Sequence, residues 1–173
     1  MNQKRRLMFI KWEDYNFLTY NLIIILKYLW CDDINNIFIN YKKIMYLILL
    51  VSDRKYLNIF RRITRIDSSI NSLDREILTK LYYEWLDNLK QLNQLLFILD
   101  KKWYIGIIKD KSNYNLYLKD KILLNEILIS NLFDYEIENT LLLKKEFKSL
   151  RLLKYDTFMD RLFYNFWLSK CDF

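Results

Sequence analysis

A single glycine, Gly106, and no proline or alanine stand among 173 residues. That shortage limits what the chain can build. Glycine-rich phosphate loops and dinucleotide-binding fingerprints need several glycines, so both are excluded. Histidine is absent too, which removes the usual general base, serine–histidine triads and most zinc chemistry. The chain is therefore expected not to be an enzyme and to carry no cofactor or metal. With 53% apolar and 28% charged residues it is neither disordered nor collagen-like. Its length suits one domain, or two small ones sharing a core.

The missing residue types share GC-rich codons, whereas the abundant Ile, Asn, Lys, Tyr and Phe have AT-rich ones. An AT-rich genome accounts for most of the bias. Five tryptophans are harder to explain that way, and a code that also reads UGA as Trp, as in mitochondria and some reduced bacteria, removes the difficulty. The expected location is accordingly the mitochondrial matrix. The start is basic through Lys4, Arg5, Arg6 and Lys11, but Glu13 and Asp14 interrupt it and no signal-peptide core follows. The apolar runs Leu22–Leu26 and Ile44–Val51 fall far short of the ~20 residues that span a bilayer. Cys31 and Cys171 have no metal-ligand spacing, and a reducing compartment is expected.

The net charge of +7 is unevenly spread. Arg54, Lys55, Arg61, Arg62 and Arg65 lie in a stretch without acids, and lysines dominate residues 101–121 and 144–154. Such segregation builds positive faces suited to an anionic partner.

Helical spacing of apolar residues marks 15–30 and a buried helix at Ile44–Val51. Tyr56, Ile59, Phe60, Ile63 and Ile66 form the apolar stripe of an amphipathic helix whose other side carries Arg61, Arg62 and Arg65. Ser72 or Asp74 can cap the next helix, with stripes at Leu73–Leu89 and then Leu92–Leu99 reading as two helices. The texture then changes. Residues 103–108 and 114–118 read as strands around a polar turn at 109–113, and 119–121 as a further turn. A further strand is expected over Phe133–Leu143 and a helix over Phe158–Leu168. The fold class expected is α+β: a helical N-terminal region (1–70), a compact unit of two helices against a small sheet (71–125), and a C-terminal strand and aromatic tail (126–173).

The run from Tyr104 to Leu124 resembles the core of the S4 RNA-binding fold. Gly106, Tyr114, Leu116, Asp120 and Ile122 fall in that family's register without a gap. The only glycine sits where the pattern has one, at a point where a turn or close backbone approach would need its conformational freedom. Leu73-Asp74 and Gln94-Leu95-Leu96 match flanking motifs, and Leu162–Lys170 is similar to the aromatic tail of the ribosomal protein S4 family. Ile105, Asn93 and Ser72 depart from the family's residues, and no cysteine cluster precedes the module.

The resemblance implies a structural constituent of the small ribosomal subunit, with ribosomal RNA and neighbouring ribosomal proteins as partners and no small-molecule substrate. A-form RNA is read through shape and phosphates, so lysine and arginine on a rigid scaffold carry the binding. The candidate contacts are Arg61, Arg62 and Arg65 on the helix before the module. Lys101, Lys102, Lys109, Lys111, Lys119 and Lys121 join them around the strands. Tyr104 and Tyr114 are candidates for stacking on unpaired bases. Gly106 and Asp120 are structural positions of the motif. Two rivals are an RNA-modifying enzyme carrying the module, for which the chain is too short, and a helical accessory subunit of a mitochondrial respiratory complex.

Overall fold

A computed structural model describes residues 15–63, 71–111, 113–119, 131–147 and 149–163, with the side chains of residues 63, 84–87 and 131 left aside. Helices α1 (Tyr15–Tyr28), α2 (Lys43–Ser52), α3 (Arg54–Ile63) and α4 (Ser72–Lys101) lead into strands β1 (Ile105–Asp110) and β2 (Asn113–Leu118). A 3-10 turn at Asn131–Phe133 opens α5 (Asp134–Glu146), and α6 (Tyr155–Leu162) follows. The chain is mixed helix and small antiparallel sheet, and mostly helical.

α2 is the axis of the packing. Every residue from Lys43 to Val51 is buried, as expected of a helix that is apolar on all sides. α1, α3, α4 and α5 surround it, and α1 and α5 also pack on each other. One continuous apolar cluster results, drawing on residues from Phe17 to Phe163. Its aromatic members lock residues 155–163 to the rest. The Phe163 ring lies 5.3 Å from Tyr46 and 5.4 Å from Tyr82, and Phe158 lies 5.9 Å from Tyr46. Phe60 of α3 stacks on Phe147 at 4.5 Å.

The expected helices at 15–30 and 44–51 form, and so does the hairpin. β1 and β2 pair antiparallel from Ile105↔Leu118 to Asp110↔Asn113, so the strands run closer to the turn than the sequence suggested. The tight turn is made by Lys111 with φ 51, a left-handed conformation that hairpin turns need and that glycine usually supplies. The free edge of β2 is covered by residues 31–41. Leu118 N–H donates to Cys31 O at 2.8 Å, Phe38 and Leu116 exchange bonds at 2.7 and 3.0 Å, and Tyr41 N–H donates to Tyr114 O at 2.9 Å. Covering an edge in this way removes a template for unwanted strand pairing.

Three sequence expectations are corrected. Residues 72–101 form one 30-residue helix rather than two. No glycine or proline interrupts them, and buried Ile77, Leu78, Leu81, Leu92, Leu95, Leu96 and Leu99 keep one helical phase. Its N-cap is Asn71, whose side chain accepts from Asp74 N–H, rather than Ser72 or Asp74. The strand expected over Phe133–Leu143 is helix α5. Its buried residues Glu136, Asn139, Thr140 and Leu143 have helical spacing, but three of the four are polar, so an apolar pattern could not reveal them. Asp134 and Glu136 in its first turn and Lys144 and Lys145 in its last also suit the helix dipole. The expected helix over Phe158–Leu168 starts at Tyr155, and its residues beyond 163 lie outside the described ones.

Gly106 is needed for a reason other than the one expected. It has no positive φ and sits inside β1, directly opposite Tyr117. A β-carbon there would fall within the Tyr117 ring, which lies across the glycine. An aromatic ring covering a strand glycine is a known way to offset that residue's poor strand propensity. Gly106→Ala should therefore displace the ring and cost about 1 kcal/mol, and the cost should vanish in a Tyr117→Thr background. A urea double-mutant cycle measures this; an equal cost in both backgrounds would show that the ring is not the constraint.

Two helices end alike. After α1, Trp30 N–H donates to Lys27 O and Cys31 N–H to Leu26 O; after α4, Trp103 N–H donates to Asp100 O and Tyr104 N–H to Leu99 O. This is the Schellman pattern, whose left-handed residue is usually glycine. Here it is tryptophan both times, with φ 61 at Trp30 and 64 at Trp103. A residue with a β-carbon pays roughly 1–2 kcal/mol for that conformation.

Candidate nucleic-acid interface

The residues proposed from the sequence to meet phosphate fall into two groups. Lys101 and Lys102 end α4 at the base of the hairpin, and Lys109 and Lys111 stand near its tip; all four are exposed. The two pairs are separated by most of a strand, about 20 Å. Among the described residues none of these four meets a carboxylate, although Lys101 Nζ lies 4.5 Å over the Phe97 ring.

The second group has carboxylate partners. Arg61 donates through Nε and Nη2 to Glu146 Oε1 at 3.1 and 3.0 Å, tying α3 to α5. Arg62 Nη2 donates to Asp74 Oδ1 at 2.8 Å, tying α3 to the start of α4. Lys119 Nζ donates to Asp100 Oδ1 at 3.0 Å while lying 4.5 Å over the Trp103 ring. Asp74 is buried, so the bond from Arg62 is less screened than a surface pair. The cationic side of α3 thus serves, at least in part, to dock helices. Arg65, Asp120 and Lys121 lie outside the described residues.

Of the stacking candidates, Tyr114 is 41% exposed, its ring meeting Tyr41 edge-on at 5.7 Å. Tyr104 is half-buried and packs against the core. The aromatic side chains most open to solvent among the described residues are others: Trp103 at 72% and Trp30 at 67%. Sequence reading missed them because a tryptophan after a helix looks like core. The available signal was an aromatic residue at a helix end where no glycine follows.

The exposed face of α4 carries Leu73, Tyr83 and Phe97, with Lys80, Lys90 and Lys101 between them and Glu76 near its start. Among the described residues no helix is long and apolar enough to cross a membrane, and no cluster of three or more His, Cys, Asp or Glu could hold a metal ion. Comparison of the chain with protein-family models, with curated proteins and with solved structures returns no match in any of the three.

Proposed function

We propose that this chain is a structural constituent of a small ribosomal subunit in the mitochondrial matrix, binding ribosomal RNA and neighbouring ribosomal proteins. It binds through the unit at 71–125 that resembles an S4 module in sequence, with one long helix standing where two were expected. The observation that carries the reading is the hairpin between exposed, carboxylate-free lysines: Lys101 and Lys102 at its base, Lys109 and Lys111 at its tip. Its strands hold Gly106, Tyr114 and Leu116, three of the five residues of the sequence resemblance, while Asp120 and Ile122 lie outside the described residues. A rigid strand pair presenting ammonium groups at both ends suits backbone contacts along an RNA helix, where shape rather than base edges is read. The covered edge of β2 keeps that strand from pairing elsewhere and leaves the hairpin's charged ends for a partner.

The test is the salt dependence of RNA binding. Each phosphate contact contributes ~0.7–0.9 to the slope of log affinity against log salt, so converting all four lysines to alanine should lower its magnitude by about 3. An unchanged slope removes this face from the proposal. The exposed apolar residues Leu73, Tyr83, Phe97 and Ile98 on α4 favour a protein neighbour as well, which a respiratory complex could equally supply. Sedimentation separates the two: the ribosomal reading expects co-migration with small-subunit RNA, the other with membrane complexes in detergent.

A further inference from the structure

We propose that Trp30 and Trp103 form a pair of stacking platforms for unpaired nucleotides of the bound RNA, an inference that rests on the RNA-binding reading and assigns part of its surface. Several observations converge. Both residues occupy the left-handed position of a Schellman turn, where a β-carbon is unfavourable. Asparagine tolerates that conformation, is abundant in this chain, and occupies it at Asn40 with φ 60. Tryptophan in its place at two helix ends is strain that burial does not repay, since both indoles are mostly exposed.

The two platforms belong to one end of the molecule. Cys31, next to Trp30, accepts from Leu118 N–H at 2.8 Å, and Tyr104, next to Trp103, accepts from Lys119 N–H at 3.0 Å. The tryptophans thus stand on chain segments that flank the end of β2 on opposite sides, two strand spacings or ~10 Å apart. Each indole has an ammonium over one face: Lys144 Nζ at 3.3 Å from the Trp30 ring centroid and Lys119 Nζ at 4.5 Å from that of Trp103. At 67% and 72% exposure Trp30 and Trp103 keep surface for a base, and Lys144 stands beside Trp30 where the phosphate of a stacked nucleotide can reach it.

The surroundings fit an anion. Lys101 and Lys102 adjoin Trp103, and Arg151 Nη1 donates to Trp30 O at 3.5 Å and Asn36 Oδ1 at 3.0 Å. Of the nearby acids, Asp100 is bonded to Lys119, and Asp33 accepts from the Asn35 and Asn36 N–H groups; Asp32 stands beside them. Exposed aromatic faces with cations beside them, rather than a dry apolar patch, are what single-stranded nucleic acid requires.

The probes are a short single-stranded oligoribonucleotide of mixed sequence and the same strand annealed to its complement. The variants are Trp30→Asn and Trp103→Asn, which keep a residue that tolerates the turn, with Trp30→Phe and Trp103→Phe as stacking-competent controls. Each Asn change should weaken single-strand binding by roughly tenfold or more, leave duplex binding and the salt slope nearly unchanged, and be largely rescued by Phe. Single-strand binding should also quench wild-type tryptophan fluorescence. If the wild type binds RNA with its lysine-dependent salt slope but the Asn variants bind single strands equally well, the platforms are refuted and the RNA reading stands. If the wild type binds neither RNA, both fail. Tryptophan-dependent capture by anionic vesicles without an RNA response overturns the inference in favour of a lipid surface.

Discussion

Replacing Lys43 by methionine should destabilise the protein by about 3 kcal/mol or more at neutral pH and remove most of its stabilisation on raising the pH. Lys43 is fully buried at the start of α2. Its ammonium reaches the Leu150, Arg151 and Leu153 carbonyls at 2.9, 3.4 and 2.6 Å and lies 4.5 Å from the Phe38 ring. Methionine fills the space of the stem but donates nothing, so the Leu150 and Leu153 carbonyls lose this donor, while Arg151 O keeps the Ile39 N–H at 2.9 Å. An orphaned buried acceptor costs ~1–3 kcal/mol, and relief from burying a charge offsets only part of that sum.

The pH dependence has a definite sign. Burial pushes the Lys43 pKa down from its ordinary 10.5 to about 7. Between those values the unfolded chain holds a proton that the folded one does not, so stability rises with pH across that window. Below it both states are charged and the cost of burial is fully present. Cys31, its thiol pushed up to about 12 by burial, acts oppositely above pH 9, where the unfolded thiol ionises first. The useful interval is therefore pH 7 to 9. Lys144, also lowered by burial, acts with the same sign. Urea midpoints at several pH values read the effect. Equal slopes for wild type and Lys43→Met would mean that Lys43 keeps its proton in the fold.

Lys43 shows what the sequence could and could not reveal. Its neighbours Ile44–Val51 announced a buried helix, yet nothing in the chain marked this lysine rather than Lys42 as the one going inside. Its partners are backbone carbonyls 107 or more positions away. The hairpin was legible because β-branched and aromatic residues flank a polar turn, a local pattern. Helix α5 was not, because its inward stripe is Glu136, Asn139 and Thr140. Asn139 is turned inward by long-range pairing, its Nδ2 donating to Val51 O at 2.7 Å, whereas Thr140 bonds its own helix at Glu136 O. The candidate interface followed the same division. The lysines of the hairpin were found from local charge, whereas the carboxylate partners of Arg61 and Lys119 lie 85 and 19 positions away. The tryptophans at the helix ends were hidden by composition: glycine normally signals that turn, and this chain has only one.

Phe163→Ala should cost about 3–5 kcal/mol, a large share of the ~5–15 kcal/mol that holds a domain of this size together. The ring is fully buried just past α6, tilted against Tyr46 and edge-on to Tyr82 at 86°. Its loss removes two aromatic contacts of ~0.5–1.5 kcal/mol each and opens a cavity between α2, α4 and α6. Phe163→Leu keeps most of the volume and should cost well under half as much. Two of the contacts that anchor residues 150–163 stand at the ends of that segment: Lys43 grips the carbonyls before α6, and Phe163 seats the chain after it, with buried Phe158 and Met159 between them. Once either is lost, the segment between them can detach, and the second anchor then has little left to hold. The double variant should accordingly fall short of the sum of the single costs by 1 kcal/mol or more, a gap larger than that expected for independent sites. Full additivity in urea denaturation would mean that the two anchors act on separate pieces of structure. A shared detachment also predicts early hydrogen exchange over residues 155–162 in either single variant, ahead of α2.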